Sequence, residues 1–463
     1  MGRLRQLADR TPPERERYLD LLRALAIVMV VLGHWTVTVI GYDATGAPDG
    51  HSALAELPWA YPLTWLAQVM PVFFLVGGYA NAASLHSFRA RGGDGAGWLL
   101  DRSVRLVRPT TVLLVVLAVG AAGSALVGAE ATRVRTVVWF ATIPLWFLAA
   151  YLAVVPLTPP MYALHRRLGL AVPLLLVLLV AAGDLARLAG HERLGLGGYA
   201  FGWLAVHQLG FAWYDARQRA DAARRPGEDR AGDAGARCRR LPTGRPAALG
   251  LLVGGLAATV LLTGPGPYPV SMLNVPGQRL DNASPPSLAL LTLFAAQLGL
   301  ILLLRDPVER WLHRRRPWQA VIAVNSVVLT VFLWHLTAVL LLVGALDAVG
   351  LLPTPQAGSA AWYAWRVPWL LMLAAVLAVL VAAFGRVEAR TVRRDRTTAE
   401  PTSPVRGVLI VAGYAAVVAA LVVNSQTPKA APEPLGLPVA ALVTYLAGAG
   451  LLRLLTWIRP SPR

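Results

Sequence analysis

The sequence is short of cysteine, lysine and charge of either sign. Its 463 residues include one cysteine, Cys238, and one lysine, Lys429, and only 15% of them are charged. A single cysteine excludes a disulfide framework and any cysteine-rich metal site. Soluble domains usually carry about 25% charged residues, so the deficit argues against a soluble globule.

The motifs of several enzyme classes are also missing from the sequence. It contains no Gly-x-Ser-x-Gly elbow, no Walker loop and no His-Glu-x-x-His pair. Acidic residues near the apolar runs, namely Asp20, Asp184 and Asp347, fall at their ends rather than in buried pairs. We therefore expect no metal site, no permanently bound cofactor and no carboxylate-driven proton pump.

Long apolar runs dominate what remains, and 56% of the residues are hydrophobic. A helix needs about 20 apolar residues to cross a bilayer. Twelve runs approach that length: 19–40, 61–85, 107–128, 136–156, 168–190, 194–214, 247–263, 285–304, 318–343, 365–384, 406–423 and 437–457. The pattern predicts an all-α fold, a polytopic integral membrane helical bundle of about twelve transmembrane helices.

The basic residues indicate how these helices are oriented. If every run crosses the membrane and the N-terminus is inside, the inner segments and their flanks hold 36 of the 43 Lys and Arg residues. Positive side chains are retained on the cytoplasmic side, so this partition predicts that both termini are cytoplasmic. The net charge of +18 then reflects topology, and we expect no nucleic-acid partner.

The chain divides into a large core with short flanking segments. We expect a cytoplasmic segment at 1–17, a membrane core at 18–385, a linker at 386–405 and two extra transmembrane helices at 406–463. The Arg-, Ala- and Gly-rich loop at 215–246 has little apolar surface to bury, so we expect it to be disordered and cytoplasmic.

The first run contains an arginine and a histidine in register. Arg23 and His34 are eleven residues apart, which is about three helical turns, so they lie on one face about 16 Å apart. A histidine beyond mid-membrane is costly and is a functional candidate by default. A neutral histidine bonded to a neighbouring helix is the simpler interpretation, but the aligned arginine favours function.

Three arginines follow one another at the start of the third run. Arg102, Arg105 and Arg108 recur every third residue and share a face if the segment is helical. Their guanidinium groups can grip phosphates bidentately. An ordinary cytoplasmic flank, or a contact with anionic lipid, explains the same spacing equally well.

Other polar or aromatic residues in the runs are weaker candidates. His335 in the ninth run is as compatible with function as with packing, whereas His207 in the sixth run is better explained by packing. Tyr79, Asn81 and Trp146 are candidates for a substrate channel. Gly77 and Gly78 permit a close approach of helices.

Taken together, these segments resemble the acyltransferase-3 family of integral membrane acyltransferases. The resemblance rests on Leu19-Asp20-Leu-Leu-Arg23 with His34, on Pro71-Val-Phe-Phe-Leu-Val-Gly-Gly78-Tyr79, and on Arg105-Leu-Val-Arg108-Pro109. Trp146-Phe-Leu and Leu333-Trp-His335 also match, and all fall in the family's order over residues 15 to 385. Many relatives carry a glutamate after the Trp146 motif, where this chain has Ala149, Ala150 and Tyr151.

The resemblance implies a core of about ten helices and an acyl-CoA donor used from the cytoplasm. It implies O-acyl transfer to a hydroxyl, or sometimes acyl transfer to an amine, on a glycan, lipid or small molecule. Arg23 and His34 take the family's essential first-helix pair, and Arg105 and Arg108 take its Arg-x2-Arg pair. The hypothesis is that His34 acts as general base, His335 assists, and Arg23, Arg102, Arg105 and Arg108 bind the CoA phosphates.

Two other functions remain open from the sequence. A lipid or small-molecule transporter or flippase explains the helices and a buried histidine, but not the arginines in register with it. A non-catalytic partner in envelope assembly is the weaker alternative. The near-absence of lysine is typical of a high-GC bacterium, for which an acceptor of the cell envelope, such as a surface glycan, would fit.

Overall fold

A computed structural model describes residue 9 and residues 11–12, 15–44, 46–222, 241–389 and 401–457. Of the residues that it describes, 77% are helical, which confirms the all-α prediction. Cys238, most of the loop predicted to be disordered and most of the predicted linker lie outside the described residues.

Seventeen α-helices and one β-hairpin make up the described part. In chain order they are α1 Arg17–Val37, β1 Thr38–Tyr42, β2 Pro48–Ser52, α2 Thr64–Ala67, α3 Met70–Ala90, α4 Gly95–Leu126, α5 Ala131–Thr142, α6 Leu145–Val154, α7 Thr158–Leu168, α8 Ala171–Leu188, α9 Glu192–Gly195, α10 Gly198–Ala222, α11 Arg245–Thr263, α12 Leu288–Leu312, α13 Arg315–Asn325, α14 Val328–Ala348, α15 Ala360–Ala389, α16 Pro404–Gln426 and α17 Val439–Trp457.

Eleven helical segments of the described chain are long and apolar enough to cross a membrane. They correspond to eleven of the twelve predicted runs. The sixth run forms α10, which has 25 residues but does not meet the same apolar criterion. Buried positions of α10 include His207 and Gln208, so its polar side chains are shielded by protein.

Several predicted runs differ from the observed helices, including those at 61–85 and 194–214, which are interrupted before α3 and before α10. The run predicted at 136–156 is broken at Pro144, which separates α5 from α6, and the membrane-length segment runs instead over Leu145–Leu168. The run predicted at 318–343 is broken between α13 and α14. The first helix ends at Val37 because the β-branched residues Thr38, Val39 and Ile40 form the first strand of the hairpin.

The ends of the predicted loop and linker are helical. Residues 215–222 complete α10, and residues 245–246 begin α11. Likewise α15 extends to Ala389 and α16 begins at Pro404. A membrane helix continues past its apolar run because its backbone hydrogen bonds are satisfied within the helix.

The helices form two compact units, and the boundaries between them include points within α1, α3 and α13. The first unit comprises residues 1–30, 53–84 and 157–324. Its helices approach closely at small residues. A Cβ added at Gly78 of α3 would lie 2.1 Å from the carbonyl oxygen of His207, and one at Gly255 of α11 would lie 2.5 Å from the amide nitrogen of Ala296. The close approach of helices that was predicted at Gly77 and Gly78 is therefore confirmed at Gly78.

The second unit comprises residues 31–52, 85–156 and 325–463, including α16 and α17. Tyrosine hydroxyls attach these last two helices to the unit. Tyr414 donates to the carbonyl of Leu152, 3.0 Å away, which has no helical donor because Pro156 lacks an N–H. Tyr445 donates to the carbonyl of Val107, also at 3.0 Å.

Candidate active site

Two histidine rings meet in the second unit. His34 lies in the last turn of the first helix, and His335 lies in the middle of α14. Their ring centroids are 5.3 Å apart, with 43° between the ring planes. The structure therefore brings together two sequence candidates that are 301 residues apart.

The His335 ring has a defined tautomer. The ring is fully buried, and its Nδ1 lies 2.6 Å from the carbonyl oxygen of Phe332. A carbonyl can only accept, so Nδ1 carries the proton and Nε2 presents a lone pair. Nε2 is buried and has no hydrogen-bond partner among the described residues.

The His34 ring is partly accessible. His34 is half-buried, and its ring takes part in no hydrogen bond among the described residues. Gly33 beside it faces open space, since nothing would lie within 4 Å of an added Cβ. A half-buried imidazole beside a buried nitrogen lone pair has the components of a proton-transfer site.

A tryptophan network holds the two histidine-bearing helices together. The indole of Trp35, next to His34, donates to the carbonyl of His335 at 3.0 Å. The indole of Trp369 in α15 donates in turn to the carbonyl of Trp35 at 3.1 Å. These contacts fix the backbone on both sides of the ring pair. Sequence reasoning missed both tryptophans, although Trp35 adjoins His34.

An arginine fixes the end of the first helix. Arg366 in α15 donates from Nη1 to the carbonyls of Thr36, at 3.3 Å, and Thr38, at 2.9 Å. Its guanidinium carbon lies 4.5 Å from the ring centroid of Trp362, within range of a cation–π contact. The carbonyls at a helix end lack intrahelical donors, so this arginine satisfies that of Thr36, and its bond to Thr38 ties the start of β1 to the turn that carries His34.

An aromatic row leads from the Trp146 motif to His335. Trp146 is half-buried in α6 and packs against Phe147, with ring centroids 6.2 Å apart. Phe147 meets Phe332 edge to face at 5.6 Å, and the Phe332 ring lies 6.0 Å from that of His335. Residues 149–151, directly after the Trp146 motif, include no carboxylate, and the ring beside His34 is the imidazole of His335.

The three clustered arginines lie in the first half of α4, which begins at Gly95. Because they recur at i, i+3 spacing, they share one side of this helix. Arg105 and Arg108 are exposed. Arg102 is half-buried and donates from Nη2 to the Tyr151 hydroxyl at 3.3 Å. Guanidinium groups presented in this way can receive an anionic ligand.

The remaining candidates belong to the first unit. Arg23 is about one-third exposed and lies 3.5 Å from a carboxylate oxygen of Asp20. Tyr79 packs edge-on against Trp213 and Tyr214. The side-chain nitrogen of Asn81 lies 3.1 Å from Nε2 of His207. The structure thus surrounds Tyr79 and Asn81 with aromatic and polar packing inside that unit.

Comparison with known proteins identifies the chain. The acyltransferase-3 family model, described as an acyltransferase domain, matches residues 16–386. The chain belongs to this family. No curated protein and no solved structure matches the acyltransferase.

The extent of the family match divides the structure. It includes both histidines, all four candidate arginines and the Trp146 motif, and it ends within α15. Helices α16 and α17 lie beyond it. The resemblance inferred from the motifs is confirmed, and the protein is a multi-pass membrane acyltransferase.

Proposed function

We propose that this acyltransferase moves an acetyl or other short acyl group from acyl-CoA to a hydroxyl of a glycan, glycolipid or small molecule. The observation that carries the proposal is the contact between half-buried His34 and buried His335, whose Nε2 has no hydrogen-bond partner in the described part of the chain. A buried lone pair without a donor is costly. It is useful where a donor arrives during the reaction.

In the proposed reaction, His34 accepts the proton of the acceptor hydroxyl while the hydroxyl oxygen attacks the thioester carbonyl. The C–O bond forms, the C–S bond breaks, and the CoA thiolate leaves and takes up a proton. A positioned imidazole contributes about 10²- to 10⁴-fold to such a step. His335 Nε2 accepts a hydrogen bond from the protonated His34 ring or from the acceptor.

The donor is held by arginine side chains in this proposal. Arg105 and Arg108 are exposed on α4 and bind the CoA phosphates, with Arg102 and Arg23 assisting. The first helix separates Arg23 from His34 by about 16 Å along its axis, which suits an extended pantetheine arm. Tyr79, Asn81 and Trp146 keep their assignment as candidate channel residues.

The basic residues support a location in the inner (plasma) membrane with both termini cytoplasmic. This orientation gives the inner arginines access to cytosolic acyl-CoA. The two termini can be tested with reporter fusions, which should both give cytoplasmic signals.

The test uses the full-length protein in lipid vesicles with acetyl-CoA and measures free thiol. We expect slow thiol release without an acceptor, because water can replace the hydroxyl. The double variant Arg105→Ala/Arg108→Ala should raise KM for acetyl-CoA at least tenfold. Arg453→Ala, which removes an exposed arginine of α17, is the matched control and should leave KM unchanged.

Two results would contradict the proposal. Absence of thiol release from folded protein would favour a transporter or flippase. An unchanged KM in the double variant would remove Arg105 and Arg108 from the phosphate site.

A further inference from the structure

The two helices beyond the family match each bury one tyrosine in the second unit. Helices α16 and α17 belong to this unit, as do α4 and α6. Tyr414 of α16 is 2% exposed and Tyr445 of α17 is 1% exposed. A tyrosine buried in this way uses its hydroxyl for a specific bond, so the partner of each hydroxyl indicates what these helices do.

The arginines of α4 lie on a weak part of that helix. Pro109 has no N–H group, so the carbonyl of Arg105 loses its helical donor. The hydroxyl of Thr111 bonds the carbonyl of Val107 at 2.8 Å, and side-chain bonds of this kind often bend helices. The backbone that carries Arg105 and Arg108 therefore needs support from outside the helix.

Tyr445 supplies that support. Its hydroxyl donates to the carbonyl of Val107 at 3.0 Å and lies 3.2 Å from the hydroxyl of Thr111. Val107 is buried and lies between Arg105 and Arg108 in the chain, whereas both arginines are exposed. A bond to the backbone at this point fixes the turn from which both arginine side chains extend.

Tyr414 supports Arg102 through α6. Its hydroxyl donates to the carbonyl of Leu152 at 3.0 Å. The preceding residue, Tyr151, accepts a hydrogen bond from Nη2 of Arg102 at 3.3 Å. Nε of Arg102 is buried and has no acceptor among the described residues. A guanidinium group in this state suits an anionic ligand that supplies the acceptor.

We propose that Tyr445 and Tyr414 are positioning residues for acyl-CoA binding. They hold the turns of α4 and α6 that set the directions of Arg102, Arg105 and Arg108, so α16 and α17 act as a brace for the phosphate site. This inference rests on the proposed function, because it requires that these arginines bind the donor.

The brace acts by preorganisation. Long arginine side chains lose conformational freedom when they grip a phosphate, and a backbone that also had to be ordered would add to the cost of binding. The tyrosines touch neither the thioester nor the histidines. Loss of a tyrosine hydroxyl should therefore weaken donor binding and leave the chemical step unchanged.

The test uses the full-length protein in lipid vesicles with acetyl-CoA and measures free thiol. Tyr445→Phe should raise KM for acetyl-CoA roughly fivefold, the effect of one hydrogen bond, with kcat unchanged. Tyr414→Phe should raise KM roughly threefold, because it acts on one arginine only. Tyr363→Phe, at a 45% exposed position of α15 in the same unit, is the matched control and should leave KM unchanged.

A second donor separates positioning from general damage to the fold. Acetyl-pantetheine carries the thioester but none of the CoA phosphates, so its KM should be the same in wild type and in Tyr445→Phe. Equal rises in KM for the two donors, or a fall in kcat with KM unchanged, would overturn the proposal. If Tyr445→Phe does not fold, the same comparison with Tyr414→Phe decides.

The results also distinguish this inference from the proposed function. If Arg105→Ala/Arg108→Ala raises KM for acetyl-CoA while both tyrosine variants match the control, the brace is wrong and the phosphate site stands. If the double variant leaves KM unchanged, the phosphate site is wrong and the brace falls with it. Calorimetric titration of the purified full-length protein with CoA gives the same comparison without turnover.

Discussion

A buried membrane histidine has different hydrogen-bond partners in the two units. In the first unit, Nε2 of His207 contacts Asn81, and the backbone of His207 is packed directly against Gly78. In the second unit, Nε2 of His335 has no hydrogen-bond partner among the residues that the structure describes, and the ring faces that of half-buried His34. Both histidines are about equally buried, so burial does not separate a packing histidine from a catalytic candidate.

The difference lies in where the ring nitrogens are directed. At His335, the Nδ1–H group is committed to the carbonyl of Phe332, which leaves the other nitrogen able to accept a proton or hydrogen bond. At His207, the side-chain amide of Asn81 already donates a hydrogen bond to the equivalent nitrogen, Nε2. We therefore expect substitutions at His34 and His335 to affect rate, and substitutions around His207 to affect stability.

The largest effect should follow His34→Gln. Without the imidazole, the acceptor hydroxyl loses its base, and kcat should fall about 10³-fold. Acyl transfer in vesicles measures the rate, and thermal unfolding in detergent shows that the fold persists. His313→Gln, at an exposed histidine, is the control and should retain full activity. Substantial transfer by a folded His34→Gln protein would refute the base assignment.

A smaller loss of rate should follow His335→Asn. The asparagine amide can still donate to Phe332, but it offers no equivalent of Nε2, so kcat should fall about 10²-fold while stability is unchanged. His207→Asn, measured in the same way, should change kcat less than about threefold. Equal losses in the two variants would erase the distinction between the units.

Gly78→Ala should act on stability instead of rate. The added Cβ would meet the carbonyl oxygen of His207 at 2.1 Å, so we expect a loss of about 3 kcal/mol, seen as a lower Tm. Gly250→Ala is the matched control in the same unit, because nothing lies within 4 Å of its added Cβ. It should stabilise by up to about 1 kcal/mol through helix propensity. A Gly78→Ala protein as stable as this control would contradict the packing.

The smallest effect concerns Asp94, at the start of α4. Burial raises its pKa, but hydrogen bonds from the Gly97 amide and from the amide and hydroxyl of Thr402 outweigh this and lower it from the usual 3.8. A lowered pKa stabilises the fold above pH 3.8 and loses this contribution as the pH falls through the folded value. Asp94→Ala should cost about 1 kcal/mol near neutral pH.

Thermal unfolding at several pH values checks this prediction. The difference between wild type and Asp94→Ala should shrink as the pH falls below 3.8 and through the lowered pKa of Asp94 in the folded protein, while transfer activity of the folded variant stays unchanged. A difference that does not vary with pH would mean that the cap acts without its charge.

Much of the fold could be predicted from hydropathy because a spanning helix must be long and apolar. The breaks at Pro144 and before Val328 were missed, since an apolar run has the same composition with or without a break. The hairpin after Val37 was missed because Thr38, Val39 and Ile40 are as apolar as the helix before them. α10 is the opposite case. Its hydropathy is too low for a spanning helix because it carries polar residues, and these are surrounded by protein instead of lipid.

For the candidate site, the spacing of Arg23 and His34 and the triplet on α4 were visible in the sequence. The contact of His34 with His335 was not, because 301 residues separate them and no local pattern encodes the distance. Trp35 and Trp369 were missed for the same reason. A tryptophan that donates a hydrogen bond to a distant carbonyl looks like any other apolar residue in a run.

By itself, the sequence determined that this protein is a bundle of membrane helices with arginines and histidines in family order, because the bilayer imposes length and apolarity on every spanning segment. Only the tertiary structure decided which imidazoles meet and which of their nitrogens lacks a partner. These features depend on contacts between distant helices, which lipid-driven patterning does not specify.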